Sequence, residues 1–279
     1  MNENAQTSRT LMQKLISAPY ILWMIVFILI PLAMVAYFAV TTPDGEFTLE
    51  NIKNVWQYSN IFVRSIWLAA IATIICLVIA YPAAYILSRT SKNAQSTLLM
   101  LVMLPMWMNF LLRTYAWMTI LGNNGLINTV LGFLGIDSIK MLNTQGAVVL
   151  GMVYNYLPYM ILPLYTVMVK IDKSILDAAN DLGCNGFMTI FKVVMPLSIP
   201  GITSGITMVF VPAISTFIIS RMLGGGSQLL IGDLIEMQFL GNSYNPNLGS
   251  AISLVLMVIV LIIMTVMNQF DADDDKVLM

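Results

Sequence analysis

The chain of 279 residues is 58% hydrophobic and only 10% charged, with a net charge of −1 and a mean hydropathy of +0.84. Soluble domains carry about 25% charged residues, so this chain cannot clothe a globule in solvated side chains and needs a bilayer as its solvent. It has no histidine, which removes the usual general base, metal ligand and proton relay, and its charge balance offers nucleic acid no basic patch.

Residues 1–18 are polar and carry Arg9 and Lys14. An apolar run then extends from Pro19 to about Val40, too long for a signal-peptide core and without a small-residue cleavage site, so it is read as a retained first helix. A span needs roughly 20 apolar residues. Runs of that kind recur at Phe62–Leu87, Ser96–Leu121, Gly146–Val169, Pro200–Ser220 and Gly249–Met267. The expectation is an all-α membrane protein of about six transmembrane helices, with a membrane domain over 19–270 and an acidic tail over 271–279.

Lys and Arg placement sets the orientation. With the N-terminus inside, Arg9, Lys14, Arg89, Lys92, Lys170, Lys173, Lys192 and Lys276 are cytoplasmic. Lys53, Arg64, Arg113, Lys140 and Arg221 are outside. The bias predicts both termini inside. The acidic tail Asp271–Asp275 weighs little against it, because acids contribute little to orientation.

Cys76 lies in an apolar run and Cys184 in a polar loop, which suggests neither a disulfide nor a metal site. Pro82, Pro105, Pro158, Pro163 and Pro212 interrupt the spans and favour kinks. Gly201 and Gly205 form a small-xxx-small pair, the signature of close helix packing. The Met-rich composition reads as apolar gap-filling.

The third apolar span carries Trp107, Asn109, Tyr115 and Trp117, aromatic faces beside an amide. Such faces attract ammonium groups, and on a straight helix starting near Ser96 they occupy the outer half. Trp107 lies nearest the midplane, whereas Tyr115 and Trp117 also suit an interfacial belt. Arg113 is expected to snorkel outward toward a phosphate or an acid.

The fourth and fifth spans are joined by a polar segment, Lys170–Pro196. Within it Ser174 and Asp177 have capping-box spacing and Gly183 sits at a C-cap position. Ile175, Ala178, Ala179 and Leu182 fall at i, i+3, i+4 and i+7, one small apolar face. Such a helix can lie in the membrane interface or dock into a groove on a cytoplasmic partner, and periodicity alone leaves both open. Further on, Asp233 and Glu236 are i, i+3 neighbours in a short segment between the last two spans, placed to present two carboxylates to a cation.

Asp177-Ala178-Ala179, then Gly183, then Val193-Val194-Met195-Pro196 resemble the Glu-Ala-Ala loop of ATP-binding-cassette (ABC) importer permeases, with Asp in place of the first Glu. Trp107-Met108-Asn109, Arg113-Thr114-Tyr115, Leu223-Gly224-Gly225 and Leu230–Leu240 are similar to permeases of the spermidine/putrescine group, most of all its B-type subunits. The resemblance implies the type I ABC importer permease fold in a bacterial inner membrane. It also implies an ATPase bound in two copies through Asp177, Ala178, Ala179, Gly183 and Pro196. A second homologous permease and an extracytoplasmic substrate-binding protein complete the implied assembly. Trp107, Asn109, Tyr115, Asp233 and Glu236 become candidates for the polyamine path.

The sequence contains no G-x-x-x-x-G-K-[ST] loop, so ATP hydrolysis is expected on another chain, with no cofactor or metal here and membrane lipid as the surroundings. The related alternative is an importer permease for another small solute. A secondary transporter is the rival class, and it calls for carboxylates in mid-span, which these runs lack.

Overall fold

The computed structural model describes residues 19–226, 228–241 and 243–274. The polar segment with Arg9 and Lys14, the end of the acidic tail and Lys276 lie outside them. The elements are helices: α1 Pro19–Ala39, α2 Glu50–Val55, α3 Ser59–Arg89, α4 Lys92–Trp107, α5 Phe110–Ile120, α6 Leu126–Phe133 and α7 Gln145–Met168. They continue with α8 Lys173–Asp181, α9 Gly186–Leu197, α10 Ile199–Ile214, α11 Ile218–Gly224, α12 Ile231–Leu240 and α13 Pro246–Asp274.

Four helices are long and apolar enough to cross a membrane alone. The count reaches six when two bent pairs each make one span, α4 with α5 and α9 with α10. The expectation of about six spans agrees with that upper count, in which two spans are broken. The expected straight span Ser96–Leu121 bends by 88°. Pro105 withholds an amide near the end of α4, Met108 is extended, and the Asn109 side chain accepts the Leu111 amide at 2.8 Å to start a new helix. The run Pro200–Ser220 stops at Ile214, just after Pro212, and restarts at Ile218. Toward its other end, α9 meets α10 at a 73° bend, with Pro200 in the first turn of α10.

The chain divides into two compact units. The smaller comprises residues 1–58 and 237–258. Its helix α1 is apolar all round and exposed along its length, with Tyr20, Trp23 and Phe27 outward, as expected of a surface solvated by lipid. The last carbonyls of a helix have no intrahelical donor. Here two asparagines supply donors: Asn247 Nδ2 donates to Phe38 O at 3.2 Å and Asn51 Nδ2 to Ala39 O at 3.4 Å, and both also donate to Thr41 O just beyond the helix, at 2.7 and 2.9 Å.

The larger unit comprises residues 59–236 and 259–279, and α3, α7 and α10 pack together as its core. One face of α3 carries a buried stripe of mostly small residues, Ser65, Ala69, Ala72, Cys76, Ala80 and Ala84. Steps of three and four keep the stripe on one side and let backbones approach. The pair Gly201 and Gly205 does the same for α10. A Cβ on Gly201 would meet Pro163 O at 3.0 Å and Leu164 Cα at 3.2 Å, and one on Gly205 would meet Met160 Sδ at 2.6 Å. The close-packing reading of that pair holds.

Gly201→Leu places new methylenes against α7 backbone, which cannot move aside as a side chain could. It should lower stability by about 1–3 kcal/mol, seen as a reduced unfolding temperature in detergent. Gly132→Ala, where no heavy atom lies within 4 Å of the added Cβ, should leave that temperature unchanged or raise it.

Candidate functional site

The segment between α7 and α10 contains the best-defined candidate site. It leaves α7 after Met168, and Arg89, at the end of α3, fixes its course. The Arg89 guanidinium donates to Met168 O at 3.3 Å and Ile171 O at 3.2 Å, with the Tyr85 ring 5.6 Å from its carbon. A cation that fills two late carbonyls suits a helix C-terminus twice over, as hydrogen-bond donor and as charge.

Helix α8 starts differently from the capping-box expectation. Its N-cap is Asp172, with extended backbone and a carboxylate that accepts the Ser174 amide at 3.0 Å. Ser174 gives its own amide to that bond, so it lies inside the first turn and cannot cap it. The Ser174 amide, then its hydroxyl, holds the Asp172 carboxyl below its ordinary value, so the cap is ionised at neutral pH. The C-terminus follows the expectation. Gly183 has φ +84°, its amide donates to Asn180 O at 2.9 Å, and Cys184 N donates to Ala179 O at 3.0 Å. These two bonds make a Schellman ending.

The expected apolar face of α8 is divided by the structure. Ala179 is 6% exposed and Leu176 9%, both turned toward the chain's own body. Ile175, Ala178 and Leu182 are open, Leu182 at 86%. The surface offered to a partner is therefore Ile175, Ala178 and Leu182, at i, i+3 and i+7, with Asp177 beside it and Ala179 behind. Pro196 is exposed in α9, thirteen residues beyond Gly183.

The candidate path residues fall on separate elements. Trp107 ends α4 and is 69% exposed, Asn109 caps α5, and Tyr115 within α5 is 53% exposed. The 88° bend invalidates the straight-helix ruler that placed Trp107 nearest the midplane. Trp117 turns inward and meets Tyr154 edge to face at 5.4 Å. Arg113 does not snorkel: it is 8% exposed, lies near the Phe110 ring, and its Nε and Nη1 have no acceptor among the described residues. The reason is the packing of α5 against α11, which covers that face.

Asp233 and Glu236 are not a pair of open carboxylates. Asp233 is 2% exposed and accepts the Leu230 amide at 3.0 Å, capping its own helix α12. Burial pushes its carboxyl above the ordinary value, while the Ser220 hydroxyl and that amide oppose the rise. Glu236 forms an ion pair with Arg221 of α11, with Nη1 to Oε1 at 3.0 Å. Among the described residues, no hydrogen bond, ion pair or ring contact joins these acids to Trp107, Asn109 or Tyr115. Sequence reasoning missed Asp172 and Arg89. The Asp-x-Ser pattern ahead of α8 signals the first, whereas the second depends on carbonyls about 80 residues away.

Comparison with known proteins follows from this geometry. Residues 5–272 match the family of binding-protein-dependent transport system inner membrane components. The chain is 41% identical over 264 residues to the spermidine/putrescine transport system permease protein PotB of Haemophilus influenzae, covering 91% of this chain and 92% of that one. It is 35% identical over 247 residues to PotB of Escherichia coli, covering 85% and 90%. Its fold is similar to a chain of a bacterial ABC transporter involved in the import of the acidic polysaccharide alginate, with TM-score 0.83, 98% and 99% coverage and 14% identity.

Gly183→Val forces a β-branched side chain into the left-handed region, at a cost above the roughly 1–2 kcal/mol of an ordinary residue there. Amide exchange at positions 183 and 184 should accelerate severalfold, while amides in the middle of α3 and α7 keep their protection.

Proposed function

The chain belongs to the family of binding-protein-dependent transport system inner membrane components, and from this premise we propose that it is one permease of a polyamine importer driven by a separate ATPase. It forms half of the membrane path for spermidine or putrescine in a bacterial inner membrane. The single observation that carries the assignment is the extent of likeness to two spermidine/putrescine permeases, 41% and 35% identity over nearly whole chains. The substrate follows from those relatives; the alginate transporter contributes the fold alone.

In this proposal α8 is the coupling helix. A short helix with both ends capped transmits force as a unit, and its exposed Ile175, Ala178 and Leu182 suit a groove on the ATPase. Arg89 ties the loop to the end of α3, so a push on α8 reaches the α3, α7 and α10 core. Both chain ends and the loop lie on the cytoplasmic side. Two ATPase copies bind there, one to this chain and one to a second, homologous permease. A soluble binding protein delivers substrate on the opposite face; an alginate transporter of this fold has been solved in complex with its alginate-bound periplasmic protein.

The polyamine meets aromatic surface at the bend between α4 and α5, where Trp107 and Tyr115 are open and Asn109 marks the turn. The ion pair of Glu236 with Arg221 and the buried cap role of Asp233 support a part for this pair in holding α11 and α12, in preference to direct contact with substrate.

Two outcomes test the proposal. Ala178→Glu buries an unpaired carboxylate in the docked interface, so the ATPase should no longer copurify although the chain still inserts. Ala179→Glu should instead destabilise the chain itself, because Ala179 is already covered. Normal ATPase binding by Ala178→Glu would remove α8 from the interface. For the path, Trp107→Ala forfeits a cation–π contact and should lower spermidine uptake about two- to thirtyfold at limiting substrate. Unchanged uptake with the assembly intact would exclude Trp107.

A further inference from the structure

Two adjoining hollows on the larger unit have complementary characters. The first, of about 510 Å³, lies between the end of α3 and α8 and is lined by Ser88, Arg89, Lys173, Asp177, Asn180 and Thr189, among others. The second, of about 610 Å³, runs along α3 and α9 and is walled by apolar side chains, among them Val78, Pro82, Ile86, Phe187 and Phe191. They share Tyr85. Neighbouring residues of α3 (Ile86, then Ser88) and of α9 (Phe187, then Thr189) line one hollow and then the other, so the two lie side by side with Tyr85 at their border.

The charges at the polar end are Arg89 and Lys173 against the one carboxylate of Asp177, a net of +1. Arg89 is fixed there by the carbonyls of Met168 and Ile171, and its Nε has no acceptor among the described residues. The Lys173 ammonium is in ion-pair contact with no acid among the described residues. At the apolar end, Val78, Ile86 and Phe187 are 66%, 64% and 72% exposed, and the Phe187 and Phe191 rings meet tilted at 45° with centroids 4.5 Å apart. A slot with a cationic polar head and a long greasy wall has the polarity of a single glycerophospholipid.

We propose that this slot, with Arg89 and Lys173 at its polar end and Ile86 and Phe187 along its apolar wall, holds an anionic phospholipid of the cytoplasmic leaflet. The phosphodiester lies between the two cations. Hydroxyls of a glycerol headgroup donate to the Asp177 carboxylate and the Asn180 carbonyl. An acyl chain follows α3 past Ile86 to Val78. Because α8 forms one wall, the lipid wedges between the coupling helix and the membrane core and makes their relative position depend on headgroup charge. The inference rests on the proposed function only in placing this face at the cytoplasmic surface.

The test has two arms, both on the full-length chain. In the first, the detergent-purified protein is offered equal amounts of phosphatidylglycerol and phosphatidylcholine, and retained lipid is counted by native mass spectrometry. Phosphatidylglycerol should be retained preferentially. Lys173→Gln, at an exposed site, should weaken its retention about fivefold, the worth of one cation near a lipid surface. Val78→Trp should reduce retention of both lipids. Equal retention of the two lipids by the unmodified chain, or unchanged phosphatidylglycerol retention in both variants, would overturn the proposal. In the second arm, a photo-crosslinking amino acid replaces Ile86 in cells. A phospholipid adduct is expected; an adduct with a second protein chain, or no lipid adduct, would overturn it. Copurification of the ATPase in the same preparations separates the two readings: a missing lipid with the ATPase present refutes the lipid site and leaves the importer assignment standing.

Discussion

A bilayer offers no water to a backbone carbonyl, so every amide and carbonyl that a helix leaves open must find a partner inside the protein. Counted with each bent pair as one span, two of six spans are broken, and such breaks, like ordinary helix ends, leave orphan groups that would otherwise be costly. The repairs are local and specific. Asn109 starts α5, Asn51 and Asn247 close α1, Arg89 closes α7, and Asp172 with Gly183 closes both ends of α8. Polar side chains in this apolar sequence are scarce, and several of them stand at helix ends.

The same constraint explains how the candidate site is held. Helix α8 is too short to be stable alone in water, and the proposed coupling role requires it to act as a rigid body. Its caps satisfy the ends, Leu176 and Ala179 anchor one side, and Arg89 fixes the approach from α7. The opposite side, Ile175, Ala178 and Leu182, is left free for a partner. The close approach of α10 to α7 at Gly201 and Gly205, and the small-residue face of α3, keep the core behind it tightly packed. A displacement of α8 therefore has few soft contacts in which to be lost.

Spans, loop and helix ends were legible in the sequence to different degrees. The apolar runs gave the number of spans because hydrophobic length is a one-dimensional property. The left-handed Gly183 was legible because glycine offset from an apolar period has one common cause. The bend at Met108–Asn109 and the helix interruption at Ser215–Phe217 were not, although Pro105, Asn109 and Pro212 were in view: proline permits a kink, and packing decides whether it becomes a break. The cap of α8 was misplaced by two residues because Asp172 and Ser174 both carry capping chemistry, and only backbone conformation separates them. Arg113 was expected to snorkel outward, and Asp233 and Glu236 to present open carboxylates to a cation. The burial of Arg113 comes with α5 packing on α11, Glu236 is paired by Arg221, and Asp233 meets Ser220, contacts distant in sequence that leave no periodic trace. The face of α8 was predicted from its period, but which part of it the chain itself would cover depended on α3 and α9.

The central claim is that this chain couples ATP hydrolysis on another subunit to the movement of a polyamine. Reconstitution addresses it directly: the chain is placed in vesicles with its ATPase and second permease, the binding protein and labelled spermidine are added on one side, and ATP is supplied on the other. The account predicts spermidine accumulation against its gradient that requires both ATP and this chain. Accumulation that persists without ATP, or that follows an imposed ion gradient instead, would contradict it.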